Sequence, residues 1–169
     1  MLASYVCAMA FFSCCALPSH AQIVGDEAEL DRLRTKAEEA MGNDDAEGAA
    51  MNMGRAALMA ARLAKRQTES APQRLYKAAE HLYRSQEHGY RAVALFRRAG
   101  GELPASAGVC GSLQLAHLEL HHAQEIFTQP DQAARNEAPH STRLASVRQT
   151  TDDWVIVLHS MQAEFHCPA

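Results

Sequence analysis

His117 and His121 stand four residues apart, which on a helix puts both imidazoles on one face at a spacing that ligates a divalent metal ion. His122, His166 or Glu119 can supply a third donor. A second loose grouping, His159, His166 and Cys167, follows near the C-terminus, where a cysteine held in a disulfide is lost as a ligand. With nine histidines in the chain, a pair at this spacing arises readily, and no second motif of fixed spacing accompanies it. Surface or partly buried imidazoles are therefore the simpler reading. Neither Cys-x-x-Cys-His, for covalent haem, nor His-Glu-x-x-His occurs.

Catalysis is less well provided for. Glu119, Glu125, Asp152 and Asp153 offer acids and bases beside the histidines, but nothing fixes a nucleophile. The chain has no Gly-x-Ser-x-Gly elbow and no phosphate-binding glycine loop, and no pair of placed carboxylates for glycoside cleavage can be picked out. The expectation is a protein that is not an enzyme and carries no cofactor, the alternative being a divalent metal ion on the histidine pair. A formal net charge of −4 leaves no global basic excess for nucleic acid.

The frame that must position these groups begins with an export signal. Residues 1–21 contain no Asp, Glu, Lys or Arg, and the apolar run from Val6 through Phe12 continues to Leu17 before Pro18 breaks it. Ser19-His20-Ala21 then offers small residues at the two positions a signal peptidase reads. A retained membrane anchor is the competing reading, disfavoured because the run is short for a span and ends at a proline. A lipid attachment at Cys14 or Cys15 fits poorly after Phe11-Phe12-Ser13. Residues 22–169 form one domain, expected in the periplasm or outside the cell, with no stable membrane insertion once the signal is removed. Of five cysteines, Cys110 and Cys167 remain, and an even pair in an exported chain favours a disulfide.

Strand signals are nearly absent outside Val155-Ile156-Val157, so the domain reads as all-α. Asp26 opens a first helix that Gly42-Asn43 stops, and Asp44 or Asp45 caps a second, running to about Thr68. Along the second, Ala50, Gly54, Ala57, Ala61 and Ala64 make a stripe of small side chains that invites close packing. A third helix spans about 73–88, Gly89 provides a turn, and a short fourth runs from Tyr90 to Ala99 before Gly100-Gly101. A fifth, apolar helix covers about 112–127, and a polar loop follows from Thr128 to His140. Ser141 or Thr142 then caps a last helix with Trp154 as a core anchor and a kink or break at Gln149–Asp153.

Arg74 to Pro104 carries the most specific pattern. Tyr83, Ala92, Phe96, Ala99 and Pro104 occupy the slots of a tetratricopeptide repeat, Tyr76 is an acceptable large substitute in another, and Glu80 departs from the small residue usual there. The segment thus resembles one repeat of that family, with looser likeness in the flanking windows. The resemblance implies a short superhelix of antiparallel helical hairpins, a plain antiparallel helix bundle being the alternative. It also implies that Arg74, Lys77, His81 and Arg84, with His88 one turn further, face the binding groove. Their spacing does place them on one helix face, and that face is basic. The functional expectation is an exported interaction scaffold or adaptor that holds another protein or an acidic peptide there. The alternative is a metal-binding helical bundle using His117 and His121.

Overall fold

Five α-helices account for the regular structure of residues 20–128 and 138–168, which the computed structural model describes. They are α1 (His20–Gly42), α2 (Ala46–Arg66), α3 (Ser70–Arg98), α4 (Ala107–Thr128) and α5 (Ala138–Glu164). Short polar connections reverse the chain between α1, α2, α3 and α4, so these successive helices form antiparallel hairpins, and α5 runs back along α4. Contacts across each hairpin register this. Asp26 meets Arg66, Glu47 meets Arg98, Ser85 bonds the Ala116 carbonyl, and Cys110 joins Cys167. The result is the expected all-α fold, as an up-and-down bundle with α3 packed against α2, α4 and α5.

Local sequence explains the helix ends. The Asp45 carboxylate accepts the Gly48 N–H at 2.8 Å and satisfies one of the free donors that open α2. At the other end of the next hairpin, Gly100 and Gly101 both take positive φ, 79° and 73°. Their N–H groups return to the carbonyls of Arg97 and Phe96, which closes α3 in a left-handed cap that side chains with a Cβ adopt poorly. The small-residue stripe of α2 is used in part, with Gly54 and Ala61 only half-buried. Ala50, Ala57 and Ala64 are buried with Ala49, Ala56, Ala60, Met53 and Leu63, and the backbones of α1 and α3 come close on either side.

The expected turn at Gly89 does not form, and this is the main correction to the sequence reading. The expected helices 73–88 and 90–99 are one continuous α3, so Tyr83, Ala92 and Phe96 lie along a single helix that Ala99 caps, rather than on the two arms of a hairpin. The absent side chain of Gly89 serves packing instead. A Cβ there would fall 2.8 Å from Cζ2 of Trp154, so the glycine is the seat of the indole. Trp154 is buried, as expected of an anchor, and its Nε1–H donates to Ser85 Oγ at 3.0 Å. Ser85 in turn donates to the Ala116 carbonyl at 2.8 Å, so one buried chain of hydrogen bonds joins α5, α3 and α4.

Other boundaries move as well: α1 begins at His20 rather than Asp26, and α5 begins at Ala138, so Ser141 and Thr142 lie inside it rather than capping it. α4 begins at Ala107 rather than near Ser112, and α5 passes through Gln149–Asp153 without a break. Thr151 explains the unbroken course of α5. It is fully buried and its hydroxyl bonds the Val147 carbonyl one turn back, so a residue that interrupts the apolar pattern is satisfied inside the helix. Of the expected polar loop, residues 129–137 lie outside the described residues and 138–140 belong to α5; of the expected signal segment 1–21, residues 1–19 lie outside the described residues and His20 and Ala21 begin α1. Among the described residues, no helix is long and apolar enough to cross a membrane.

Cys110 and Cys167 form the expected disulfide, with Cα atoms 5.4 Å apart and 57 residues between them in sequence. It fastens the first turn of α4 to the segment that follows α5. Phe165 stacks on Phe96 with ring centroids 4.4 Å apart, and its carbonyl accepts the Ala105 N–H at 3.0 Å. The end of α3, the start of α4 and the C-terminal segment are thereby gathered at one end of the bundle.

Candidate functional site

Arg74, Lys77, His81, Arg84 and His88 do lie along one edge of α3, but helices on both flanks draw on that edge. Arg74 reaches α4, where its Nη2 donates to the Ile126 carbonyl at 3.3 Å. His81 faces the same helix, with Nδ1 2.7 Å from Oε2 of Glu119. Lys77 is exposed between them. Arg84 turns the other way, pairing at 3.4 Å with Glu80, the residue that departs from the repeat pattern, and lining a groove against α2. His88 is partly buried, and loss of hydration lowers its imidazole below the usual histidine range, while Arg91 stands 3.4 Å from its Nδ1.

The groove occupies about 580 Å³ between the outer faces of α2 and α3. Ala50 and Gly54 leave its α2 side shallow, and the exposed side chains of Met51 and Leu58 stand beside them. Across from these, α3 contributes Ala94 and Leu95 with Arg84, Arg91 and Arg98, and Arg55 adds a fourth guanidinium from α2. Glu47 and Glu87 are the acids of the lining. Glu87 lies over Gly54, where a Cβ would come within 2.9 Å of its carboxylate carbon, and it pairs with Arg91. Glu47 pairs with Arg98 at 2.9 Å in the open. Ion pairs this exposed are held loosely.

The histidines divide among three settings. His117 turns toward α5, its ring centroid 5.4 Å from that of His159. Its Nε2 is buried without a hydrogen-bond partner, and burial together with the neighbouring His159 lowers its imidazole below the usual range. His121 is exposed and stands 3.6 Å from Glu125. His122 instead points to α3, with its ring edge-on to His81 at 5.2 Å between centroids. His81, Glu119 and His122 each bring one donor atom within 4.8 Å of the others, and among the described residues this is the grouping compact enough for a metal ion. His117 and His121 thus point to different neighbours, and His166 is exposed beyond the end of α5.

Two features escaped the sequence reading. The α2–α3 groove depends on which faces of the two helices meet, which no local spacing encodes. The grouping around His81 pairs residues 38 positions apart, although Glu119 and His122, at i and i+3 on α4, were visible as helix neighbours. Compared with models of protein families, with curated proteins and with solved structures, the chain matches none.

Proposed function

We propose that this protein is an exported helical scaffold that binds an acidic, amphipathic helix of another protein in the groove between α2 and α3. The observation that carries the reading is the lining of that groove. Met51, Leu58 and Leu95 offer apolar contact around small floor residues, and four arginines outnumber two glutamates along its rim. Exposed apolar side chains at Met51 and Leu58 leave a free face between two helices, the setting in which a third helix lays its own apolar stripe. Guanidinium groups can bond carboxylates through two parallel hydrogen bonds, and the Arg98–Glu47 pair, exposed on both sides, is free to exchange partners, whereas Glu80 and Glu87 are more covered.

This reading keeps the acidic partner expected from the basic edge of α3 and relocates it. Arg84 is the residue shared by the two descriptions. The tetratricopeptide likeness is compatible in spirit, since that family also presents grooves made by stacked helical hairpins, but its crossing residues lie here on one helix. Export is supported by the Cys110–Cys167 disulfide, a bond that persists in oxidising compartments.

A photoreactive amino acid at Met51 or Leu58 tests the proposal in the cells that make the protein, with the exposed Leu115 on α4 as control position. The expected outcome is one shared adduct from 51 and 58, mapped to an acidic helical segment. That adduct should weaken by about tenfold when Arg91→Glu and Arg98→Glu are combined. Adducts no stronger than those from Leu115, or indifferent to the charge reversal, overturn it.

A further inference from the structure

On the opposite flank of α3, we infer that His81, Glu119 and His122 form a binding site for a late first-row divalent transition metal ion. The inference is independent of the groove and of its partner. Its ligands come from two helices whose mutual position is fixed by the core. Immediately beside the site, Ser85 bonds the Ala116 carbonyl, so α3 and α4 are locked together one turn away. Glu119 and His122 share the face of α4 that meets α3, and His81 faces them from α3.

The donor set matches the chemistry of such an ion. Two imidazoles and one carboxylate suit zinc and its neighbours better than magnesium or calcium, which favour oxygen donors throughout. Metal bonds of about 2.0–2.2 Å place donors roughly 3–4 Å apart. The three atoms here lie within 4.8 Å, with His81 and Glu119 already at 2.7 Å, so side-chain adjustments of about an ångström complete the site. Ligation by Nδ1 of His81 requires only that the ring carry its proton on Nε2, which releases the hydrogen bond to Glu119 in favour of the ion.

Burial is intermediate at all three residues. The side chains of His81 and Glu119 retain 30% and 22% of their exposure, enough for an ion to enter from solvent while part of its hydration shell is replaced. Three protein ligands leave a coordination position for water or for a donor group of another molecule. The i, i+4 pair His117 and His121 takes no part, because the two rings point to different neighbours.

The test is titration of the untagged, chelator-treated protein with Zn²⁺ by calorimetry and with Co²⁺ by visible absorption. One site with a dissociation constant of about a micromolar or tighter is expected, with cobalt d–d bands that signal nitrogen and oxygen ligation. His81→Gln, Glu119→Gln and His122→Gln should each weaken Zn²⁺ by about 100-fold or more, and His121→Gln and His159→Gln by less than about threefold. Circular dichroism confirms that each variant folds, and the cobalt spectrum of the unmodified protein stands even if one does not. Absence of any site tighter than about 10 μM overturns the inference. So does a site whose affinity survives His81→Gln, or one lost equally with His121→Gln.

Discussion

Gly89 shows how a single residue type can be read two ways. A glycine in a helical pattern signals a turn by its backbone freedom, at a helix cost of about 0.5–1 kcal/mol relative to alanine. Here the same absence of a Cβ makes room for an indole that arrives from 65 residues further along the chain, at Trp154. Gly89→Ala should therefore destabilise the protein by about 1–2 kcal/mol despite the better helix propensity, because Trp154 also carries the bond to Ser85 and has little freedom to yield. Gly111→Ala is the internal control. Its added Cβ meets nothing within 4 Å, so it should stabilise α4 by up to about 0.5–1 kcal/mol. Urea unfolding of the two variants gives opposite signs if Gly89 is a packing notch and the same sign if it is merely a weak point in the helix. The Trp154 anchor was legible from the sequence, since a lone tryptophan in an apolar pattern is a core residue by size. Its seat was not, because contact between α5 and α3 is a property of the packed bundle. His81 is the same case. Its place on a basic helix edge could be read from spacing, whereas its partner Glu119 belongs to another helix.

Among the elements, the C-terminal ends of helices were easier to anticipate than their starts or interiors. Asp45 acts locally through its carboxylate on the Gly48 N–H and Gly100-Gly101 through their positive φ, whereas Gly42 is simply the last residue of α1 and the left-handed residue of that turn is Asp44, at φ 66°. The interior irregularity at Gln149–Asp153 was misleading because Thr151 satisfies its hydroxyl on the Val147 carbonyl and can be buried without interrupting α5. The Cys110–Cys167 bond belongs to this scale as well. It joins the start of α4 to the segment after α5, and the 57-residue loop it closes corresponds to about 4 kcal/mol in the chain-entropy picture. Cys110→Ser combined with Cys167→Ser should cost about 2–4 kcal/mol in urea unfolding. Phe96–Phe165 stacking and the Ala105 N–H to Phe165 carbonyl bond remain available to dock the C-terminal segment. Protection of the Ala105 amide from hydrogen exchange separates the two contributions. If it is retained in the double variant, packing alone docks that segment; if it vanishes, the disulfide is what holds it.

Across the whole molecule, the bundle is unequally tied. α3 packs against α2, α4 and α5 and supplies Leu75, Tyr76, Ala79, Leu82 and Tyr83 to the core, so its amides should exchange only through global unfolding. Among the described helices, the backbone of α1 packs closely against α2 alone. Its inward residues Leu30, Leu33 and Ala37 are buried, and side chains supply its other ties. Arg143 of α5 reaches Glu27 at 3.2 Å and Asp31 at 2.7 Å, Arg66 pairs with Asp26, and the Tyr76 hydroxyl donates to Glu27. Burial and that bond to a carboxylate both push the Tyr76 phenol well above its usual range, so the hydroxyl stays protonated and the tie persists across ordinary pH. The ion pairs are partly exposed, and removing them one at a time should cost little. Arg143→Ala is expected to speed exchange in α1 by about fivefold, a local opening change near 1 kcal/mol, and to leave α3 and α4 unchanged. Leu33→Ala, which empties part of the buried face, should cost about 2–4 kcal/mol and release α1 far more. Exchange that accelerates equally in α1 and α3 for Arg143→Ala would mean that the five helices open as one unit. Selective release would instead make α1 the separable arm of the bundle, with the groove and the His81 site both on the part that stays folded.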